Sequence, residues 1–210
     1  MIKTAKGMLI EYAMSLPPLA LEFEFNPESI TRSRSVTFDS SALPIVDFKT
    51  PSDSNRIGQA ASAAAETISF DILLDATDKL SDSSHLMHQV AIAFGVEPEI
   101  ATLRSMLEPK LNGPKAFQIM ASLTGASTHA HERDEHLSVL LFVWGSHILP
   151  VFMTSLSIDE QAHLPSLKPY RAKASISLQV LESNNPFYQV EQAQRMVMSA
   201  ANLLNVPLPI

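Results

Sequence analysis

The densest gathering of side chains able to bind a metal or move a proton is the run HAHERDEH, which holds His129, His131, Glu132, Asp134, Glu135 and His136. Imidazoles and carboxylates together suit zinc or another divalent ion, and a metal-dependent hydrolase using His129, His131 and His136 is the chemistry they would serve. Catalytic zinc sites hold their ligands by rigid spacing, typically two histidines four apart on a helix. Here His129 and His131 straddle one residue in a stretch that reads as a loop, so a charged, solvated loop is the simpler reading. His85 and His88 are three apart on a predicted helix, where His88 reads as a flanking polar position. Asp71 and Asp75 offer a carboxylate pair, but in an alternating strand they equally make up a polar face. The chain has no cysteine, which closes thiol catalysis, thiolate metal sites and disulfides alike. Its six glycines form no phosphate-cradling loop, and no serine sits in a Gly-x-Ser-x-Gly turn. No catalytic, cofactor-binding or metal-ligating residue is therefore assigned, and no cofactor is expected.

These residues have to be held by something, and 210 residues with 46% hydrophobic and 18% charged content are enough for one well-buried core. No apolar run approaches the ~20 residues of a membrane helix, so no membrane partner is expected. Near the start, Glu11 and Pro17-Pro18 interrupt the apolar stretch that a signal peptide would need. A net charge of −7 argues against gripping nucleic acid by neutralising phosphates, although a channel past which nucleic acid slides is compatible with it.

Strand periodicity is clearest in ETISFDILLD, where Ile68, Phe70, Ile72 and Leu74 alternate with polar residues, and in RAKASISLQVLE, where Ala172, Ala174, Ile176, Leu178 and Val180 do so. The polar face of the second is uncharged after Lys173. LSVLLFVWG is apolar on both faces and suits a central strand, with VFMTSLSID as its weaker hairpin partner. Three helices are predicted. One lies in SSHLMHQVAIAFG, capped by Ser83 or Ser84 and ended by Gly95, with Leu86, Met87, Val90, Ala91 and Phe94 as its apolar face. A second is EPEIATLRSML, with Ile100, Leu103 and Leu107 on one stripe. The third runs near the C-terminus with Ala193, Met196, Val197, Ala200 and Leu204 on one face. Residues 48–66 read as a long connection of small and polar residues whose QAASAAAE end has high helix propensity.

One stretch breaks the strand rule. In LEFEFNPESITRSRSVTF, Leu21, Phe23 and Phe25 share a face, but after Asn26-Pro27 both Arg32 and Arg34 fall on the apolar side with Ile30, Val36 and Phe38.

Taken in order, FEFNP, ITRSRSVTF, ISFDILLDA, FVWG and PYRAKASISLQVLES resemble the tube-protein family of contractile injection systems and phage tails, in particular members that start the tube at the baseplate. The motifs Phe25-Asn26-Pro27, Trp144-Gly145 and Pro169-Tyr170-Arg171-Ala172 carry the resemblance, which covers roughly residues 20–185. Where the family often has glycines, this chain has Pro150 and Leu167-Lys168, and it ends in a helix and a proline tail instead of a peptidoglycan-binding LysM module.

The resemblance implies an α+β fold, mainly an antiparallel β-barrel or sandwich of the tail-tube type with flanking helices and a C-terminal helix. It implies a single domain over 1–210, with a strand-rich core at about 20–75 and 137–185, a helical insertion at about 76–136 and the last helix at about 187–204. The function implied is structural: a homo-oligomer, a hexameric ring, joining the baseplate hub or spike to the tail tube protein and initiating the tube. Sheath or wedge proteins are further partners, DNA or cargo passes through the lumen without specific binding, and the particle assembles in the bacterial cytoplasm. The inner tube protein itself is the alternative. Arg32, Arg34, Arg56, Trp144 and Arg171 are the candidate inter-subunit residues. In that frame Arg32 and Arg34 sit on a hairpin reaching a neighbour, the other reading being that they pass the sheet edge into water.

Overall fold

A computed structural model describes residues 5–12, 19–38, 61–111, 135–182 and 185–203. Its frame is an antiparallel sheet of seven strands, in the spatial order β2 (Ala20–Glu22), β1 (Met8–Glu11), β9 (Leu140–Trp144), β10 (His147–His163), β11 (Pro169–Val180), β6 (Thr67–Asp75) and β3 (Ile30–Ser33). The sheet curls as a half-barrel beside four helices, so the fold is α+β as the sequence implies.

Alternation in sequence becomes alternation in burial. Ile68, Phe70, Ile72 and Leu74 of β6 and Ala172, Ala174, Ile176, Leu178 and Val180 of β11 all face the core. They register with one another, Ile176 opposite Phe70 and Leu178 opposite Ile68. An aromatic row crosses the strands: Phe23 lies 5.5 Å from Phe70, Phe70 stacks on Phe142 at 5.3 Å, and Phe142 stacks on Trp144 at 6.3 Å. The opposite face of β6 and β11 carries Thr67, Ser69, Ser175, Ser177 and Gln179 at one end, with the Ser69 and Ser177 hydroxyls 3.1 Å apart, and Leu73 with the Asp71–Lys173 and Asp75–Arg171 ion pairs at the other.

β10 runs 17 residues, far longer than the VFMTSLSID segment, because the chain passes straight through Pro150. The proline costs one amide donor, yet its carbonyl still accepts from the Leu181 amide at 2.8 Å. Gly145 opens the tight β9–β10 turn at φ +62°, in the left-handed region that favours glycine. Leu167 adopts φ +64° in the β10–β11 turn, a left-handed conformation that strains a leucine.

The helices are α1 (Thr77–Ser81), α2 (His88–Phe94), α3 (Glu97–Leu107) and α4 (Pro186–Leu203). α3 packs on β10 and β2 and buries Ile100, Leu103 and Met106 under the sheet. Gly95 ends α2 as expected, and its close approach to Pro169 leaves no room for a side chain: a Cβ there would lie 2.0 Å from the Pro169 carbonyl oxygen. Ser83 and Ser84 do not cap α2. The helix starts only after Met87, and Ser84 instead donates its amide to Asp82 in a preceding turn.

Two expected core faces lie outside. In α2 only Ala91 is buried, while Leu86, Met87 and Phe94 are exposed. In α4 the residues that enter the body are Tyr188 and Glu191, whereas Ala193, Met196, Val197 and Ala200 face solvent. A repeat of 3.6 residues shows that a helix has an apolar side, and packing alone decides which side meets the body.

Candidate assembly site at the base of the arm

The chain leaves the sheet at one end as a two-stranded ribbon. After β3 it continues as β4 (Val36–Phe38), which pairs with β5 (Ala61–Ala63) before the chain returns along β6. The Ala64 amide donates to the Ser35 carbonyl at 2.9 Å and joins the two pairings into one arm. Ala61–Ala63 is thus strand, not the helix its alanine content favours, because tertiary pairing overrides a weak propensity. Residues 39–60, including Arg56 and most of the 48–66 connection, lie outside the described residues.

At the arm's base the two arginines find carboxylates on their own chain. Arg34 Nη2 lies 2.5 Å from Glu182 Oε2, and the other oxygen of Glu182 accepts the Glu66 amide at 3.1 Å. Arg32 Nη1 stands 3.7 Å from Glu66 and 4.0 Å from Glu191. Their place on the apolar side of the pattern has a local cause: β3 is the outermost strand, so its side chains meet the rim of the sheet, where buried carboxylates replace apolar core.

The cluster extends into α4. Glu66 and Glu191 are both buried, and Arg195 bridges them at 2.7 Å and 3.3 Å. His147 Nδ1 lies 2.8 Å from the second oxygen of Glu191. Burial pushes the Glu191 carboxyl up, but the hydrogen bonds and charges of His147 and Arg195 outweigh it and hold the group below its ordinary 4.5. Burial likewise works against the Arg195 cation, and Glu66 and Glu191 more than restore it. Asn185 accepts the Tyr188 amide at 2.8 Å and Pro186 opens the helix, which fixes where α4 starts. The result is a charged clamp joining arm, sheet and last helix. Sequence reading missed Glu66, Glu182, Glu191, His147 and Arg195; its one local trace is the Glu191–Arg195 spacing of four on a helix.

The other candidate residues sit elsewhere. Trp144 is half-buried at the end of β9, stacked on Phe142 and packed so closely on Gly7 that a Cβ there would lie 2.6 Å from the indole. Arg171 faces Asp75 across the β11–β6 pair, with Nε 2.7 Å from the carboxylate, far along the strands from the clamp. Asp75 also accepts the Thr77 amide at 2.8 Å and opens α1; burial raises its pKa, and the Thr77 and Arg171 contacts win and lower it. Asp71 is paired separately with Lys173 at 2.7 Å, so the two aspartates do not act as a pair. Asn26 of the Phe-Asn-Pro motif accepts the Gly7 amide and donates to the Ala5 carbonyl, both at 2.9 Å, tying the chain before β1 to the sheet.

His129 and His131 lie outside the described residues, and His136 belongs to β8 (Glu135–His136), whose backbone pairs with β7 (Lys110–Leu111). Among the described residues no three metal-binding side chains gather, and no helix is long and apolar enough to cross a membrane.

Compared with known families, residues 11–186 match the family described as contractile injection system tube protein. No curated protein matches the chain.

Proposed function

Since the chain belongs to the contractile injection system tube protein family, a structural component of such a machine, we propose that it forms a ring that joins the baseplate hub to the inner tube and initiates tube assembly. The observation that carries this reading is a sheet that ends, among the described residues, in two edge strands, β2 and β3, the second of which continues into an arm. Bare edges invite pairing, and a closed ring removes them by continuing each sheet into the next subunit. A hexamer is the ring implied by the family resemblance. The hydroxyl row of β6 and β11 is suited to line the lumen, where few strong anchors let DNA or a protein cargo slide.

Supporting the adaptor over the plain tube subunit is α4, which lies almost wholly beyond the span that matches the family. An adaptor meets unlike partners on its two sides, a hub or spike on one and the tube protein on the other, with sheath or wedge proteins outside. Arg32 and Arg34 at the base of the arm, Trp144, Arg171 and Arg56, the last outside the described residues, remain the proposed inter-subunit residues, and the particle assembles in the bacterial cytoplasm.

Negative-stain images of the purified full-length chain, alone and mixed with its tube protein, test the reading. Discrete rings that shorten the lag of tube growth are expected. Long tubes from the chain alone would make it the tube protein itself. Stoichiometric zinc with hydrolytic activity would overturn both in favour of His129, His131 and His136.

A further inference from the structure

The first turns of α4 touch both flanks of the curled sheet. On one flank the Phe187 ring meets Tyr12, the residue after β1, edge to face with centroids 5.9 Å apart. On the other, Glu191 stands 4.0 Å from Arg32 of β3, the strand at the opposite edge, and Arg195 lies 2.7 Å from Glu66, just before β6. Between the flanks, His147 holds Glu191 at 2.8 Å and Gln194 donates to the Ser146 carbonyl at 3.5 Å, both at the β9–β10 turn. α4 thus reaches from β1 to β3 without belonging to the sheet that joins them.

Charge does most of the holding. Among the described residues of α4 only Tyr188 and Glu191 are buried, and every side chain from Met196 to Asn202 is exposed. The side chains that grip the carboxylates, Arg32, His147 and Arg195, are 34%, 37% and 38% exposed, so salt reaches them. A helix held by one buried ring and screened ion pairs opens at a lower free energy than a sheet closed over an apolar core.

The arm depends on the same groups. β4 and β5 form a ribbon of three residue pairs, too short to be stable alone, so its order comes from its base. There Arg32 is shared between Glu66 at 3.7 Å and Glu191 at 4.0 Å, and Glu66 is held in turn by Arg195. Without α4, Arg32 loses one of its two carboxylates and Glu66 loses its closest cation.

We propose that α4 is a releasable strap: docked across the half-barrel it sets the arm, and it comes off as one unit, ahead of the sheet, loosening the arm and freeing Arg32 and Glu66. Coupling between two sites is reciprocal, so a carboxylate from outside the subunit that takes over Arg32 favours release of the strap. This device goes beyond the adaptor reading and does not rest on it, since every contact involved lies within one subunit.

Hydrogen exchange of the full-length chain under native conditions, read by mass spectrometry, tests the strap with Arg195→Ala. The ion pairs of Arg195 are with Glu66 and Glu191, outside β3, β4 and β5. Exchange about tenfold faster or more is expected in α4 and, by a similar factor, in β4 and β5, with β9 and β11 unchanged. Raising salt from about 0.1 M to about 1 M should do the same to the unaltered chain, and Val197→Ser, on the exposed part of the helix, should do neither. Faster exchange in α4 with the arm unmoved would mean that the helix merely frays, and would overturn the coupling. Equal acceleration in every strand would mean that the whole fold opens at once, and would overturn separate release. If Arg195→Ala does not fold, Arg195→Lys and the salt series decide between the same outcomes. Either failure leaves the adaptor reading to be decided by imaging.

Discussion

α3 and α4 are both amphipathic, and the fold uses them in opposite ways. α3 turns Ile100, Leu103 and Met106 inward, with Leu103 wholly buried and its charged residues at the rim, where Lys79 holds Glu99 at 2.8 Å. α4 turns Glu191 inward and its valines and methionines outward. The difference lies in what each helix covers. α3 lies over a finished apolar sheet face and closes it, whereas α4 covers the rim of the arm, where Glu66, Arg32 and Glu182 already stand and only a polar face can satisfy them. A helix over a core serves the subunit; a helix over a charged clamp leaves its apolar side for something outside the subunit.

The sharpest way to break that contrast is to truncate each helix. Leu103→Ala should lower unfolding free energy by about 2–5 kcal/mol in urea, the cost of a lost core side chain and its cavity. Val197→Ser should change it by no more than about 0.5 kcal/mol. Comparable losses at both positions would mean that α4 is core after all.

A second, intermediate effect probes the clamp. Glu191 titrates below its ordinary 4.5, so it stabilises the fold fully above that pH, and its contribution is lost as pH falls from there through the depressed folded value. Asp75 adds an acid loss of the same sign below its ordinary 3.8, at the other end of the strands. Replacing the carboxylate with an amide, Glu191→Gln, should cost about 1.5–3 kcal/mol at neutral pH, the scale of hydrogen bonds to charged groups. It should also flatten the acid limb of stability against pH. An unchanged acid limb would show that Glu191 does not hold α4 down.

At the α2 end a small gain, not a loss, is expected. Leu167 is 83% exposed at φ +64°, so Leu167→Gly relieves left-handed strain and loses almost no burial. A gain of up to about 1 kcal/mol is expected, since the strain relieved is partly offset by the greater freedom of glycine in the unfolded chain. A thermal midpoint that falls would mean that the leucine makes a contact the turn depends on.

β6, β11, α3 and α4 were legible in the sequence because each repeats a local period, and β9 because it is a short continuous apolar run. The three-residue strand β5 was not, since so short a run of small residues carries almost no periodic signal. Nor was the clamp: Glu66 and Arg195 meet across 129 positions in sequence, and only the assembled sheet brings them together. The resemblance reached the family through Asn26, Trp144-Gly145 and the strand opened by Pro169. The structure supplies reasons for these residues: a side-chain bridge to the first strand, a left-handed turn, and an anchor for α2 and α3. The orientation of the α2 and α4 stripes was hidden for a different reason. Periodicity marks an apolar face but does not say whether the subunit or its surroundings will cover it.

The only tryptophan in the chain turns this division into a built-in reporter. Trp144 is wedged between Phe142 and the chain at Gly7. Its fluorescence therefore follows whether the N-terminal strand is seated on β9. A red shift in emission would announce that β1 has come loose even while the rest of the sheet holds. A shift on assembly with β1 still seated would instead report Trp144 at a contact between copies, the place proposed for it, so one optical signal reads both events.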